Sequence, residues 1–191
     1  MRYSRDQKLH SHQRIVQAAS RLFRERGFAT VGVDAIMQAC SMTAGAFYAQ
    51  FRSKEALLRE ALGFAMSDIR RRIVEGLDDL PDSARFQEIV RRYLSSVHRD
   101  SPADGCSLPS LSTEVGRSGA EVREVFQAEL LEMAAAFDGH LLHSDDEVRS
   151  RALATLALCA GGVMLARAVK DQTLSDEILE ACQRLALSGT T

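Results

Sequence analysis

Residues 28–55 read FATVGVDAIMQACSMTAGAFYAQFRSKE, and this stretch decides the fold because it holds two very short amphipathic segments separated by a tight break. Val33, Ile36, Met37 and Cys40 recur at i, i+3, i+4 and i+7, one apolar face of a helix. Asp34 sits in the first turn of that helix, where the dipole favours an acid. Ser41 and Met42 interrupt the pattern, and Thr43 is an N-cap for a second helix that turns Phe47 and Phe51 inward at i and i+4. Two short helices joined by a tight turn are the geometry of a helix-turn-helix DNA reader. Ala44, Gly45 and Ala46 give the second helix a slender leading end, as entry into a major groove requires. Tyr48, turned outward, can reach a phosphate.

Outward from this core the chain of 191 residues patterns as helix almost throughout, an all-α fold of about nine helices. A first helix over about 11–26 carries Ile15, Ala18, Ala19, Leu22 and Phe23 on one face and ends at Gly27, a natural C-cap. Ser53 caps a fourth helix running to about Leu77, long enough to join two domains. A fifth passes through Phe86, Ile89, Val90, Tyr93 and Val97, and a sixth starts near Cys106 and ends near Gly116, with Pro109 tolerated in its first turn. Ser118-x-x-Glu121 and Ser144-x-x-Glu147 are capping boxes for a seventh and an eighth helix. The eighth ends near Ala168 and a ninth covers about 174–187. The division expected is a DNA-binding helix-turn-helix domain over 1–52 and an effector-binding and dimerisation domain over 53–191.

Charge divides the same way. The net −2 of the chain hides a basic head: residues 1–54 hold nine Lys/Arg against three Asp/Glu, a balance of +6, and the remainder carries −8. Such asymmetry places one end on a polyanion and keeps the other off it. The start MRYSRDQKLHSHQR has no apolar core of a signal peptide, and the longest apolar stretch, Ala152 to Ala168, is interrupted by Arg167 and shorter than the ~20 residues of a membrane helix. A cytoplasmic location without membrane contact is expected. Cys40, Cys106, Cys159 and Cys182 lie far apart with no CxxC pair, so neither a zinc site nor a disulfide framework is expected. The last two helices are apolar and rich in small residues, among them Ala154, Ala157, Gly161 and Gly162, and a four-helix bundle between two copies is their natural use.

The runs IVQAASRLFRERGF (15–28), T-V-x-V-x-x-I (30–36) and TAGAFYAQF-RSKEAL (43–57) together resemble the DNA-binding domain of the TetR family of bacterial transcriptional repressors, over roughly residues 10–60. The resemblance implies a homodimer on a palindromic double-stranded DNA operator. It places Thr30, Thr43, Tyr48 and Lys54 at backbone-contacting positions and Ala44, Gly45, Ala46 and Gln50 in the groove, with Gln50 able to pair with adenine. Many members carry Lys or Ser-Lys near the start of the reading helix and His before the final Phe, so Ala44 and Gln50 imply a different operator sequence. The family's helical body encloses a pocket whose ligand shifts the spacing of the two readers and releases DNA.

Lys54, at the start of the fourth helix, is a cation where the dipole disfavours one, a conflict that a phosphate would resolve. Arg2, Arg5 and Lys8 form a basic arm that either tracks DNA or frays. Residues suited to line an effector pocket are Phe64, Tyr93, Phe126, Leu130, Met133 and Phe137, with plain core packing as the alternative. Cys106 follows Asp104-Gly105 at a helix N-terminus, which lowers a thiol's pKa and suits a sensor of electrophiles or oxidants; a buried structural thiol is the alternative. No catalytic motif or cofactor signature is present, and His140 and His143 lack a third metal ligand. An enzyme is the competing class, and a helical adaptor that keeps the DNA-reader fold and binds only protein is a third, separable by salt-dependent DNA binding.

Overall fold

A computed structural model describes residues 5–138 and 146–188; Arg2, His140, His143 and Ser144 fall outside them. The described residues contain ten α-helices: α1 (Arg5–Arg26), α2 (Val33–Ala39), α3 (Ala44–Tyr48), α4 (Lys54–Val74), α5 (Asp82–Tyr93), α6 (Ser96–Asp100), α7 (Ser107–Val115), α8 (Ala120–Asp138), α9 (Asp146–Ala168) and α10 (Gln172–Leu187). The fifth helix expected from sequence divides in two, because the Ser95 hydroxyl accepts from His98 N–H and starts α6 as a separate helix.

Two hydrophobic cores form, and α4 belongs to both. The first gathers Ile15, Phe23, Ile36, Met37, Phe47 and Phe51 around Leu57, Leu58 and Leu62 of α4, and reaches across to Leu111 and Val115 of α7. The second holds Met66, Ile69 and Ile73 of α4 with Tyr93, Met133, Phe137, Leu156, Cys159 and Leu179. The apolar stripe that runs the length of α4 is therefore shared, and rotation of α4 would be felt in both cores.

The termini obey local chemistry. The C-terminal residue past α1 is Gly27 at φ 84, a left-handed conformation that costs other residues about 1–2 kcal/mol. Ser53 caps α4 by accepting from Ala56 N–H at 3.0 Å. Ser118 does not cap α8 as the sequence predicts: the helix starts at Ala120, the Ser118 hydroxyl donates to the Glu114 carbonyl at 2.9 Å, and Glu121 pairs with Arg59. By length and composition α9 could cross a membrane, but Ala152, Leu156, Cys159, Val163 and Ala166 are buried in the second core, as in a core helix. Where α10 crosses α9, a Cβ on Gly162 would stand 2.8 Å from Cys182 Sγ, so this glycine permits the close approach. The opposite side of both helices stays apolar and open, with Met164, Leu165, Leu174 and Leu185 about half exposed or more.

A candidate DNA interface and the loop beneath it

The turn between α2 and α3 is built from backbone. Met42 N–H donates to Met37 C=O at 2.9 Å and Ser41 N–H to Gln38 C=O at 2.9 Å, the paired bonds of a Schellman motif. Ser41 takes the left-handed position at φ 54 that glycine would fill without strain. Below the turn, Phe47 and Phe51 are buried and stacked at 5.6 Å, and His12 of α1 stacks on Phe51 at 4.6 Å. With both aromatics pointing inward, the other face of α3 must point out. Thr43, Ala44 and Gly45 are exposed, Ala46 is half-buried, and Tyr48 is 70% exposed with its ring edge-on to Phe47.

Three side chains expected at this face stand differently. The Thr43 side chain makes no capping bond to α3, which leaves its hydroxyl free to turn outward. Gln50 lies beyond the last residue of α3, and its amide donates to the Lys8 carbonyl of α1 at 3.4 Å, so it is tied to α1 rather than aimed along the reading helix. Lys54 places its ammonium 4.3 Å above the Phe28 ring, a cation–π contact that resolves its position at a helix start within the protein itself. Partial burial lowers its pKa, opposed by Glu114. Lys8 and Arg5 belong to α1, which starts six residues earlier than sequence periodicity suggests.

Sequence reasoning missed Glu114. From α7 its carboxylate accepts from Phe28 N–H at 2.9 Å and Ala29 N–H at 2.7 Å, fixing the turn that carries exposed Thr30. Its partners lie 85 and 86 positions away in the chain, and no local pattern announces such a pair.

The segment 98–106 is clamped by side chains from three directions. From α1, Arg21 pairs with Asp104, and buried Arg24 donates to Gly105 C=O at 2.8 Å. Arg72 of α4 donates to Asp104 C=O, and Arg167 of α9 donates to the His98 and Arg99 carbonyls at 2.7 and 2.9 Å. Gly105 has no room for a side chain, since a Cβ there would lie 2.7 Å from His98 Cδ2. His98 Nε2 accepts from Cys106 N–H at 2.9 Å, which leaves Nδ1–H to donate to Tyr93 C=O at 2.6 Å and fixes a neutral tautomer. Burial, with guanidinium groups nearby, lowers the His98 pKa to about 4 against the stabilising bond to Tyr93.

Cys106 stands at the N-terminus of α7 as the sequence predicts, and it caps the helix, its sulfur accepting from Leu108 N–H at 3.5 Å. The expected lowering of its pKa is reversed: the thiol is fully buried beside Met66, and desolvation outweighs the helix N-terminus and raises its pKa. The Tyr93 hydroxyl, also fully buried, has no hydrogen-bond partner of normal geometry, and it interacts with the Cys106 thiol. Ser107 Oγ next to it is likewise unpartnered. Of the residues expected to line a pocket, Tyr93, Met133 and Phe137 are packed in the second core with Phe126 and Leu130 against it. Phe64 is not among them; it is 38% exposed on α4. No group of three or more metal-ligating side chains occurs among the described residues.

Comparison with known proteins bears on this arrangement. Residues 15–61 match the family described as bacterial regulatory proteins, tetR family. The chain is 29% identical over 157 residues to YerO of Bacillus subtilis, an uncharacterized HTH-type transcriptional regulator, with 80% of this chain and 53% of YerO aligned. It is 30% identical over 121 residues to the HTH-type transcriptional repressor DhaR of a Mycobacterium species, covering 62% of this chain and 57% of that one. The chain thus spans little more than half the length of these two relatives. The fold superposes on the crystal structure of reduced E. coli NemR with a TM-score of 0.80 at 21% identity, covering 95% of this chain and 98% of that chain. Residues 15–61, the helix-turn-helix and the start of α4, thus carry the N-terminal domain of the tetR family of bacterial regulatory proteins, and the all-helical body has the fold of the structure it superposes on.

Proposed function

We propose that this regulator is a cytoplasmic homodimeric repressor which reads a palindromic operator through α3 and leaves it when a small molecule or an electrophile acts on its C-terminal half. The observation that carries the reading is the exposed, slender start of α3 held out by two buried phenylalanines. Ala44, Gly45 and Ala46 then enter the groove, and Thr30, Thr43 and Tyr48 contact the backbone. Gln50 and Lys54 join them by leaving Lys8 and Phe28 for base and phosphate. Residues 1–52 act as the reading unit and 53–191 as the responding one, coupled through α4. One protomer covers too few bases for useful specificity, and the open stripes Ala154, Ala157, Met164 and Leu165 of α9 with Leu174, Ala181 and Leu185 of α10 support pairing of two copies in a four-helix bundle.

Repression agrees with the role of DhaR, a transcriptional repressor. A thiol route has its own support: Cys106 follows Gly105, whose carbonyl Arg24 of α1 holds, its thiol interacts with the buried Tyr93 hydroxyl, and the NemR structure is one of a reduced form. Burial means that reaction needs an opening of the core, so its rate reports that opening. Selection from a random duplex pool, with reduced protein and then with mild oxidant, tests the whole reading. Enrichment of a palindrome that is lost on oxidation and kept in Cys106→Ser supports the thiol route. A palindrome indifferent to oxidant leaves release to a ligand. No enrichment in either state refutes the operator reading.

A further inference from the structure

A cleft of about 440 Å³ opens between α4, α5 and the segment 95–105, away from the aromatic interior that the sequence singles out. Ile69 and Ile73 of α4 form its apolar floor, and Val97, 75% exposed, stands over it as a hydrophobic wall. Arg72, Arg91 and Arg92 supply its charge. We propose that this cleft binds a small organic monocarboxylate with an apolar chain, the chain on Ile69, Ile73 and Val97 and the carboxylate between Arg72 and Arg91.

The charge balance selects an anion. Asp68 is shared by Arg71 and Arg72, Glu88 is shared by Arg91 and Arg92, and Asp104 is drawn off by Arg21, leaving five guanidiniums against three carboxylates. Arg24, buried behind the loop, adds another positive charge, and the fall in His98 pKa carries contributions from Arg24, Arg72 and Arg167. A carboxylate lowers that positive excess, whereas a cation would find its acids already taken. Arg92 is committed to the exposed end of α4, its Nη1 donating to Ile73 and Glu75 carbonyls at 3.1 and 2.7 Å. Arg72 pairs with Asp68 and donates to Asp104 C=O through Nη2, but its Nε is buried with no hydrogen-bond partner, so its guanidinium has a bond still to make. The volume lies in the range of small-molecule sites.

The far wall is the loop that Arg21 and Arg24 hold from α1, and Arg72 already donates to Asp104 C=O across it. A carboxylate that recruits Arg72 competes for this bond and thereby acts on α1. That consequence rests on the proposed release from DNA; binding itself does not.

Calorimetric titration of the full chain with octanoate, without DNA, is the test, with 1-octanol and octylamine as neutral and cationic counterparts. Octanoate is expected to bind and the other two not to. Val97→Asp and Arg91→Glu alter exposed side chains, so folding is retained and checked by thermal melting. Each is expected to weaken octanoate about tenfold or more. No binding up to about 1 mM, the weak end of ligand affinity, would overturn the site, as would equal binding of octanol or affinities unmoved by both substitutions. Failure of the unliganded protein to select a duplex would instead overturn the operator reading and leave this result standing.

Discussion

Glu114→Ala severs the tie between α7 and the turn that precedes the DNA reader. In the parent, one carboxylate accepts two backbone N–H groups, from half-buried Phe28 and exposed Ala29, at 2.9 and 2.7 Å. A hydrogen bond to a charged group contributes about 1.5–3 kcal/mol, and water can replace the carboxylate at Ala29 more readily than at Phe28. The loss is therefore roughly 2–3 kcal/mol, which for a chain of this size lowers the melting temperature by about 5–10 °C. Glu114→Gln keeps one good acceptor and should fall near half of that. Because the turn carries Thr30, duplex affinity should also drop in Glu114→Ala at temperatures where it remains folded. Thermal unfolding followed by circular dichroism, with fluorescence anisotropy on a labelled duplex, reads both. A melting temperature within about 1 °C of the parent would refute the reasoning, since the turn would then hold without its acceptor.

Tyr48→Phe should weaken binding to every duplex by a similar factor and reduce the salt dependence little, since the hydroxyl is a neutral phosphate donor; Gln50→Ala should shift base preference, and selection with each variant separates the two effects. His98 is held neutral at a pKa of about 4, below the 6.5 of the unfolded chain. The unfolded state therefore binds the proton first, so stability falls as pH drops from 6.5 towards 4, by up to about 3 kcal/mol, as urea unfolding across that window would show. Gly27→Ala should cost about 1–2 kcal/mol through its left-handed backbone alone, a loss read by the same unfolding experiment.

Much of the fold is legible in the chain because it is written in local periodicity. The stripe Val33, Ile36, Met37, Cys40 and the pair Phe47, Phe51 set the inward faces of two helices, and the exposed end of α3 follows by elimination. Ser53 caps α4 for reasons contained in four consecutive residues. What local patterns do not carry is the destination of long polar side chains. Lys54 has an unfavourable place at a helix start by sequence, and nothing local shows that its ammonium lies over the Phe28 ring. Ser118 reads as a cap, yet its hydroxyl finds the Glu114 carbonyl one turn back. Cys106 shows the competition most plainly: the helix N-terminus visible in sequence lowers a thiol's pKa, but burial, which depends on Met66 and Tyr93 from distant helices, decides the sign. The clamp of Arg21, Arg24 and Arg72 on Asp104 and Gly105, and of Arg167 on α6 just before them, is equally silent in sequence, since each arginine has an ordinary place on a helix face.

The duplex affinity of Ala44→Glu measures whether the leading end of α3 enters the groove. Ala44 is exposed at the first turn of α3, where an acid suits the helix dipole, so the variant should keep the parent's melting temperature. If that end of α3 enters the groove, the new carboxylate meets phosphate and base acceptors, and anisotropy titration on the selected palindrome should show binding reduced at least about a hundredfold. A folded Ala44→Glu protein that binds the palindrome as tightly as the parent would contradict the account.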